Sequence, residues 1–128
     1  MRSHKDLEVW QLAVELAVAM FAATRNFPKD EQFGLTLQMR RSAVSIASNI
    51  AEGAARYGKK EFLQFLYVAL GSASELETQL EIAGRVGLGT ESELKQLDSR
   101  STTVSKMLQG LIRSVRARQA DPKASESH

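Results

Sequence analysis

A chain of 128 residues, 43% of them apolar and only two of them proline, is sized for one domain around one core. The absence of cysteine excludes disulfides and thiolate metal sites. A net charge of +2 hides strong segregation: residues 35–60 carry +4, residues 61–99 carry −5 and residues 100–118 carry +5.

The opening MRSHKDLEVW lacks the unbroken apolar run of a signal peptide. No segment approaches the roughly 20 apolar residues of a membrane span. The expectation is a soluble, cytoplasmic protein without membrane contact. Residues 1–118 are expected to form the folded domain.

The first helix is expected over about 6–25, with Asp6 as its N-cap. Leu7, Trp10, Val14, Ala17, Phe21 and Thr24 step by threes and fours and form the expected core stripe. Val9, Leu12, Leu16 and Met20 form a second stripe beside it. The helix is apolar around most of its circumference, more than one bundle can bury. FPKD at 27–30 ends it, because Pro28 cannot continue a helix and biases Phe27 toward extended geometry.

The second helix is expected over 34–57, with core positions Met39, Ala43, Ile46, Ile50 and Tyr57, and with Gly58 as its C′ residue. The third runs over 59–86 on Phe62, Leu66, Ala69, Ala73, Leu76, Leu80 and Ala83, and GLG at 87–89 ends it. Thr90 and Glu93 form a capping box that opens the fourth, over 90–117. Its stripe is Leu94, Leu97, Ser101, Val104, Leu108, Leu111 and Val115. The tail, 119–128, has no apolar period and is expected to be disordered. No strand pattern competes, and short connections make sequence neighbours spatial neighbours. The fold class is all-α, an up-down-up-down antiparallel four-helix bundle.

That topology gathers Arg2, Lys5, Arg56, Lys59, Lys60, Arg113, Arg116 and Arg118 at one end. Asp6, Glu8, Glu52 and Glu61 are the acids nearby. A basic pole suits RNA or DNA phosphates. The candidate contacts are Arg40, Arg41, Arg56, Lys59, Lys60, Arg113, Arg116 and Arg118. The competing explanation is that cations near the ends of the second and fourth helices offset the helix dipole. No aromatic interleaving of these bases is evident from the sequence.

Catalytic and cofactor chemistry finds little support. Di-iron bundles need Glu-x-x-His pairs in their core. The only histidines, His4 and His128, lie outside the expected helices and read as solvated terminal residues. Nucleophilic triads lack their base. No catalytic, cofactor or metal site is expected. Gly71 and Ser72, inside the third helix, read as points of close helix approach.

SIASNIAEGAAR at 45–56 carries a polar stripe. On a helical wheel, Arg41, Ser45, Ser48, Asn49, Glu52 and Arg56 fall within about 100° of one another, opposite the core positions. Glu52 and Arg56 have i,i+4 spacing. The stripe is either a solvated face or an interface. The spare apolar surface favours a homo-oligomer. The candidate assembly residues are Val9, Leu12, Leu16, Ser45, Asn49, Glu52, Phe65 and Val68.

The segments KDLEVWQLA (5–13), FPKDEQFGLTLQMRRSAVSIASNIAEG (27–53), EFLQFLYVALGSASELETQLEIA (61–83) and MLQGLIRSV (107–115) resemble the 23S rRNA intervening-sequence protein family. Arg40, Arg41, Ser45, Asn49, Glu52 and Gly53 match its motif, and none of them carries an established catalytic role there. Ala47 departs from it, where the family often has Pro. The resemblance implies a bundle assembled as a homopentamer. It also implies likeness to the accessory proteins of diversity-generating retroelements, which bind a reverse transcriptase and nucleic acid. On this reading the partners are further copies of the chain, RNA or DNA, and a reverse transcriptase or another protein. The alternative is a protein-interaction scaffold that never touches nucleic acid.

Overall fold

The computed structural model describes residues 3–31 and 34–120, and all regular structure among them is helical. A short 3₁₀ turn, His4–Asp6, leads into α1 (Glu8–Thr24). A second 3₁₀ turn, Lys29–Glu31, precedes α2 (Leu35–Ala54), which is followed by α3 (Lys59–Arg85) and α4 (Glu91–Ala120). The expected tail begins two residues inside α4; residues 121–128, like Arg2, lie outside the described residues.

Asp6 does not cap α1. Its carboxylate accepts from the Ser3 amide at 3.2 Å, while the Ser3 hydroxyl accepts from the Lys5 amide at 3.1 Å. The pair therefore closes a capping box on the 3₁₀ turn. Extended Leu7 separates that turn from α1, which begins without a side-chain cap.

α2 ends three residues short of Tyr57. Gly58 has φ −99° and ψ 144° and is the N-cap of α3, so it cannot serve as the left-handed C′ residue expected of it. Once Tyr57 falls off the helix, its place in the core stripe is lost, and it is fully exposed.

The turn after α3 does have the expected form. The Leu88 amide donates to the Ala83 carbonyl at 2.9 Å and the Gly87 amide to the Gly84 carbonyl at 3.3 Å. Gly87 supplies the positive φ of 82° that this Schellman arrangement requires. Thr90 and Glu93 then bond reciprocally, amide to side chain, at 3.0 and 3.1 Å.

α1 and α3 each pack against both α2 and α4. Leu16, Met20, Met39, Ile46, Ile50, Leu66, Leu76, Val104 and Leu108 are fully buried at the centre. Along α2 and α3, Ser42 meets Glu75, Ser45 meets Ser72, and Gly53 meets Phe65. Successive contacts thus advance along one helix and recede along the other. Glu77 with Ser105 and Tyr67 with Arg116 repeat that order between α3 and α4.

The expected core stripes of α3 and α4 are buried or packed against the core throughout. α1 differs. Its buried residues are Val9, Ala13, Leu16, Met20 and Thr24, a stripe that shares Thr24 with the expected one and is otherwise rotated from it by about 100°. Val9 and Leu16 are therefore core, which corrects their assignment as spare assembly positions. Trp10, Val14 and Ala17 are half-buried, and Phe21 is 42% exposed. Hydrophobic period cannot choose between two apolar stripes when no polar face opposes either. Thr24 can be buried because its hydroxyl donates to the Met20 carbonyl at 2.7 Å and accepts from Arg40 Nε at 2.8 Å.

Candidate nucleic-acid interface

The corner between α2 and α3 is built on Gly53. A Cβ there would lie 2.8 Å from the Phe65 Cβ and 3.0 Å from Phe62 Cδ1, so only glycine lets the two helices approach this closely. The close approach sets Phe65 beside the end of α2, and the Arg56 guanidinium lies over its ring, 5.1 Å from the centroid. Residue 56 is already beyond the helix, so the i,i+4 geometry expected with Glu52 is lost, and among the described residues the two form no ion pair.

The chain then exposes Tyr57 completely and enters α3 through Lys59 and Lys60. Two turns further on, Tyr67 is 46% exposed and its hydroxyl accepts from Arg116 Nη1 of α4 at 3.3 Å. Arg113 and Arg118 are exposed on the same helix. Among the described residues, Arg56, Lys60, Arg113, Arg116 and Arg118 form no ion pair. Aromatic rings therefore do interleave these bases, contrary to the sequence expectation. The signal that could have shown it is the spacing of Lys60, Gln64 and Tyr67, which share one helical face.

Helix dipoles account for part of the cluster, Arg118 above all, but not for the bases of α3. α2 has no base in its last turn, and Arg118 is the base in the last turn of α4. Lys59 and Lys60 occupy the first turn of α3, the end where an anion is favoured and a cation is not.

Arg40 and Arg41 lie elsewhere. Arg40 is 16 positions before Arg56, about 24 Å along a helical rise. Its guanidinium sits 4.8 Å from the Phe21 centroid and its Nε is committed to Thr24. It clamps α2 to α1, and neither arginine belongs to the basic cluster.

The polar stripe of α2 divides in two. Ser45 and Ser72 share a hydrogen bond at 2.8 Å, and Asn49 Nδ2 donates to the Ser45 carbonyl at 2.8 Å and to its hydroxyl at 3.0 Å. These residues join α2 to α3 within one chain. Arg41, Ser48 and Glu52 face solvent. Of the remaining assembly candidates, Leu12 is half-buried against the core, Phe65 lies under Arg56, and Val68 is 52% exposed.

On α1 the spare apolar surface includes Val14, Ala17 and Phe21, members of the expected core stripe. Val14, Ala17, Val18, Phe21 and Ala22 of α1 face Val44 and Ala47 of α2 across a groove of about 400 Å³. Gly71 is not a point of close approach, since nothing lies within 4 Å of its notional Cβ. His4 is half-buried with its ring edge-on to Trp10 at 4.9 Å, not solvated. Among the described residues, no cluster of His, Asp and Glu could hold a metal, and no helix is long and apolar enough to cross a membrane.

The 23S rRNA-intervening sequence protein family model matches residues 5–110. The chain belongs to the 23S rRNA-intervening sequence protein family. The match spans α1 to α3 and most of α4, including the Gly53 corner, Tyr57 and Tyr67. Among solved structures, this family member is similar to a protein of unknown function from the S23 ribosomal protein family of Bacteroides thetaiotaomicron. The two share 27% identity and superpose with a TM-score of 0.77, over 82% of this chain and 95% of that one. No curated protein matches the chain.

Proposed function

We propose that the protein is a non-enzymatic, homo-oligomeric, up-down-up-down antiparallel four-helix bundle that binds RNA or DNA through the basic face of α3 and α4. The observation that carries the binding reading is a set of cations without an ion pair among the described residues: Lys60 on the face of α3 that carries Tyr67, Arg113 and Arg116 on α4, where Arg116 meets Tyr67, and Arg56 over Phe65 at the α2 corner. Lys60 stands where the helix dipole disfavours it. Such a surface offers charge to phosphates.

The opposed contact order between adjacent helices supports the antiparallel topology. The apolar groove between α1 and α2 supports self-association, and a pentamer is the assembly that the family resemblance implies. A chain without cysteine, whose histidines are residues 4 and 128, supports the non-enzymatic reading. A reverse transcriptase or another protein would be a further partner.

Fluorescence anisotropy with structured RNA tests the binding. Affinity should fall steeply with salt, and the salt slope should flatten in Arg113→Glu/Arg116→Glu. The absence of binding at low salt would overturn it. A protein partner retained through nuclease treatment and through that charge reversal would favour the scaffold reading.

A further inference from the structure

We propose that the basic face takes nucleic acid with unpaired bases, and that Tyr57 and Tyr67 are the surfaces on which those bases stack. The proposal rests on the nucleic-acid reading above and specifies its ligand.

The two rings are placed for this. Tyr57 is fully exposed on the connection between α2 and α3, with Arg56 before it and Lys60 a few residues after. Tyr67 is held at the surface by its hydroxyl, which accepts from Arg116 Nη1 at 3.3 Å. That bond orients the ring and sets a guanidinium at its rim. Lys60, Gln64, Tyr67 and Gly71 recur at steps of four, three and four on one face of α3. Gly71 lies one turn beyond Tyr67 with nothing within 4 Å of its notional Cβ, so the ground past the ring is open. A helix-interior glycine that packs against nothing is otherwise a cost to the fold.

Unpaired bases suit these features better than duplex does. Duplex phosphates need cations alone, whereas a single strand presents π-faces that stack on aromatic rings. Tyr57 precedes Tyr67 by ten positions, and α3 rises about 12 Å from Lys59 to Tyr67. The rings therefore serve separate bases, with Lys60, Arg113 and Arg116 for the backbone on the side of Tyr67 and Arg56 beside Tyr57. The aliphatic Val68 and the acidic Glu61 lie about 100° around the helix from Tyr67 and Lys60 respectively, off this face.

The test is anisotropy on the full chain with a labelled oligoribonucleotide of about 16 nucleotides, its DNA counterpart, and the blunt duplex of the same sequence. Wild type should bind either single strand more tightly than the duplex. Tyr57→Ala and Tyr67→Ala should each lose roughly 5- to 150-fold in single-strand affinity with the salt slope unchanged. Tyr57→Phe should retain it. Melting curves confirm that each variant is folded. Equal binding of strand and duplex, with Tyr57→Ala/Tyr67→Ala as tight as wild type, would overturn stacking and leave the phosphate reading standing. Failure of wild type to bind any of the three at low salt would overturn both.

Discussion

Alanine in place of Gly53 and alanine in place of Gly71 are the same change in two long helices, and they should act in opposite directions. At Gly53 the added methyl meets the Phe65 Cβ at 2.8 Å and Phe62 Cδ1 at 3.0 Å. The nearer atom is fixed to its backbone, so no rotamer relieves the clash, and α2 and α3 must separate. Overpacking of this kind costs about 1–3 kcal/mol. Alanine returns about 1 kcal/mol through better helix propensity. The net loss should be about 0–2 kcal/mol, which lowers Tm by up to about 8 °C in a chain of this size. At Gly71 no neighbour lies within 4 Å. Only the propensity gain remains, so Tm should rise by about 3–5 °C. Circular dichroism melts at one fixed protein concentration measure both, because self-association makes Tm concentration-dependent. If Gly53→Ala rises together with Gly71→Ala, the close approach at residue 53 is wrong.

Further outcomes follow from the same packing. Ser45→Ala removes the bond to Ser72 and one of two acceptors of Asn49; it should cost about 1–2 kcal/mol in urea unfolding. Ser45→Ala/Ser72→Ala should cost less than the sum of the single changes, because the two share one bond. Ser101→Ala deletes a fully buried hydroxyl that has no partner and should stabilise the chain by about 1 kcal/mol, read as a higher urea midpoint. Leu16→Ala should lose about 2–5 kcal/mol of stability, as befits a fully buried core residue. Val18→Asp/Val44→Asp, on the exposed groove, should change the melt little while shifting light scattering toward the single chain.

The sequence made the number and order of helices legible, as well as the core faces of α3 and α4. There the apolar residues keep an unbroken three-four rhythm against a polar background, so the period names the buried side. α1 has no such background: Trp10, Val14 and Phe21 satisfy the period as well as Val9, Leu16 and Met20 do. The choice between them is made by packing against α2 and α4, which no period within α1 encodes. Helix ends were legible where local chemistry decides them, as at Gly87 and at Thr90 with Glu93. Gly58 misled because the residue alone does not say which sign φ will take; at −99° it opens α3 where a positive value would have closed α2. The basic cluster was legible as a charge block. Of its aromatic component, Tyr67 could have been read from its spacing with Lys60 and Gln64, whereas Tyr57 becomes a surface feature only because α2 stops early.

The ring of Phe27 sits 2.9 Å from where a side chain on Gly89 would begin. Gly89 has φ +72°, so a substitution there is strained as well as crowded. Two connections far apart in the sequence thus close as a single latch at one end of the bundle. The Leu88 amide, bonded to the Ala83 carbonyl, belongs to that latch. With Phe27 against Gly89, opening of the connection after α3 should be coupled to displacement of that ring. In Phe27→Ala, deuterium uptake at Leu88 should accelerate although residue 27 is remote from it along the chain.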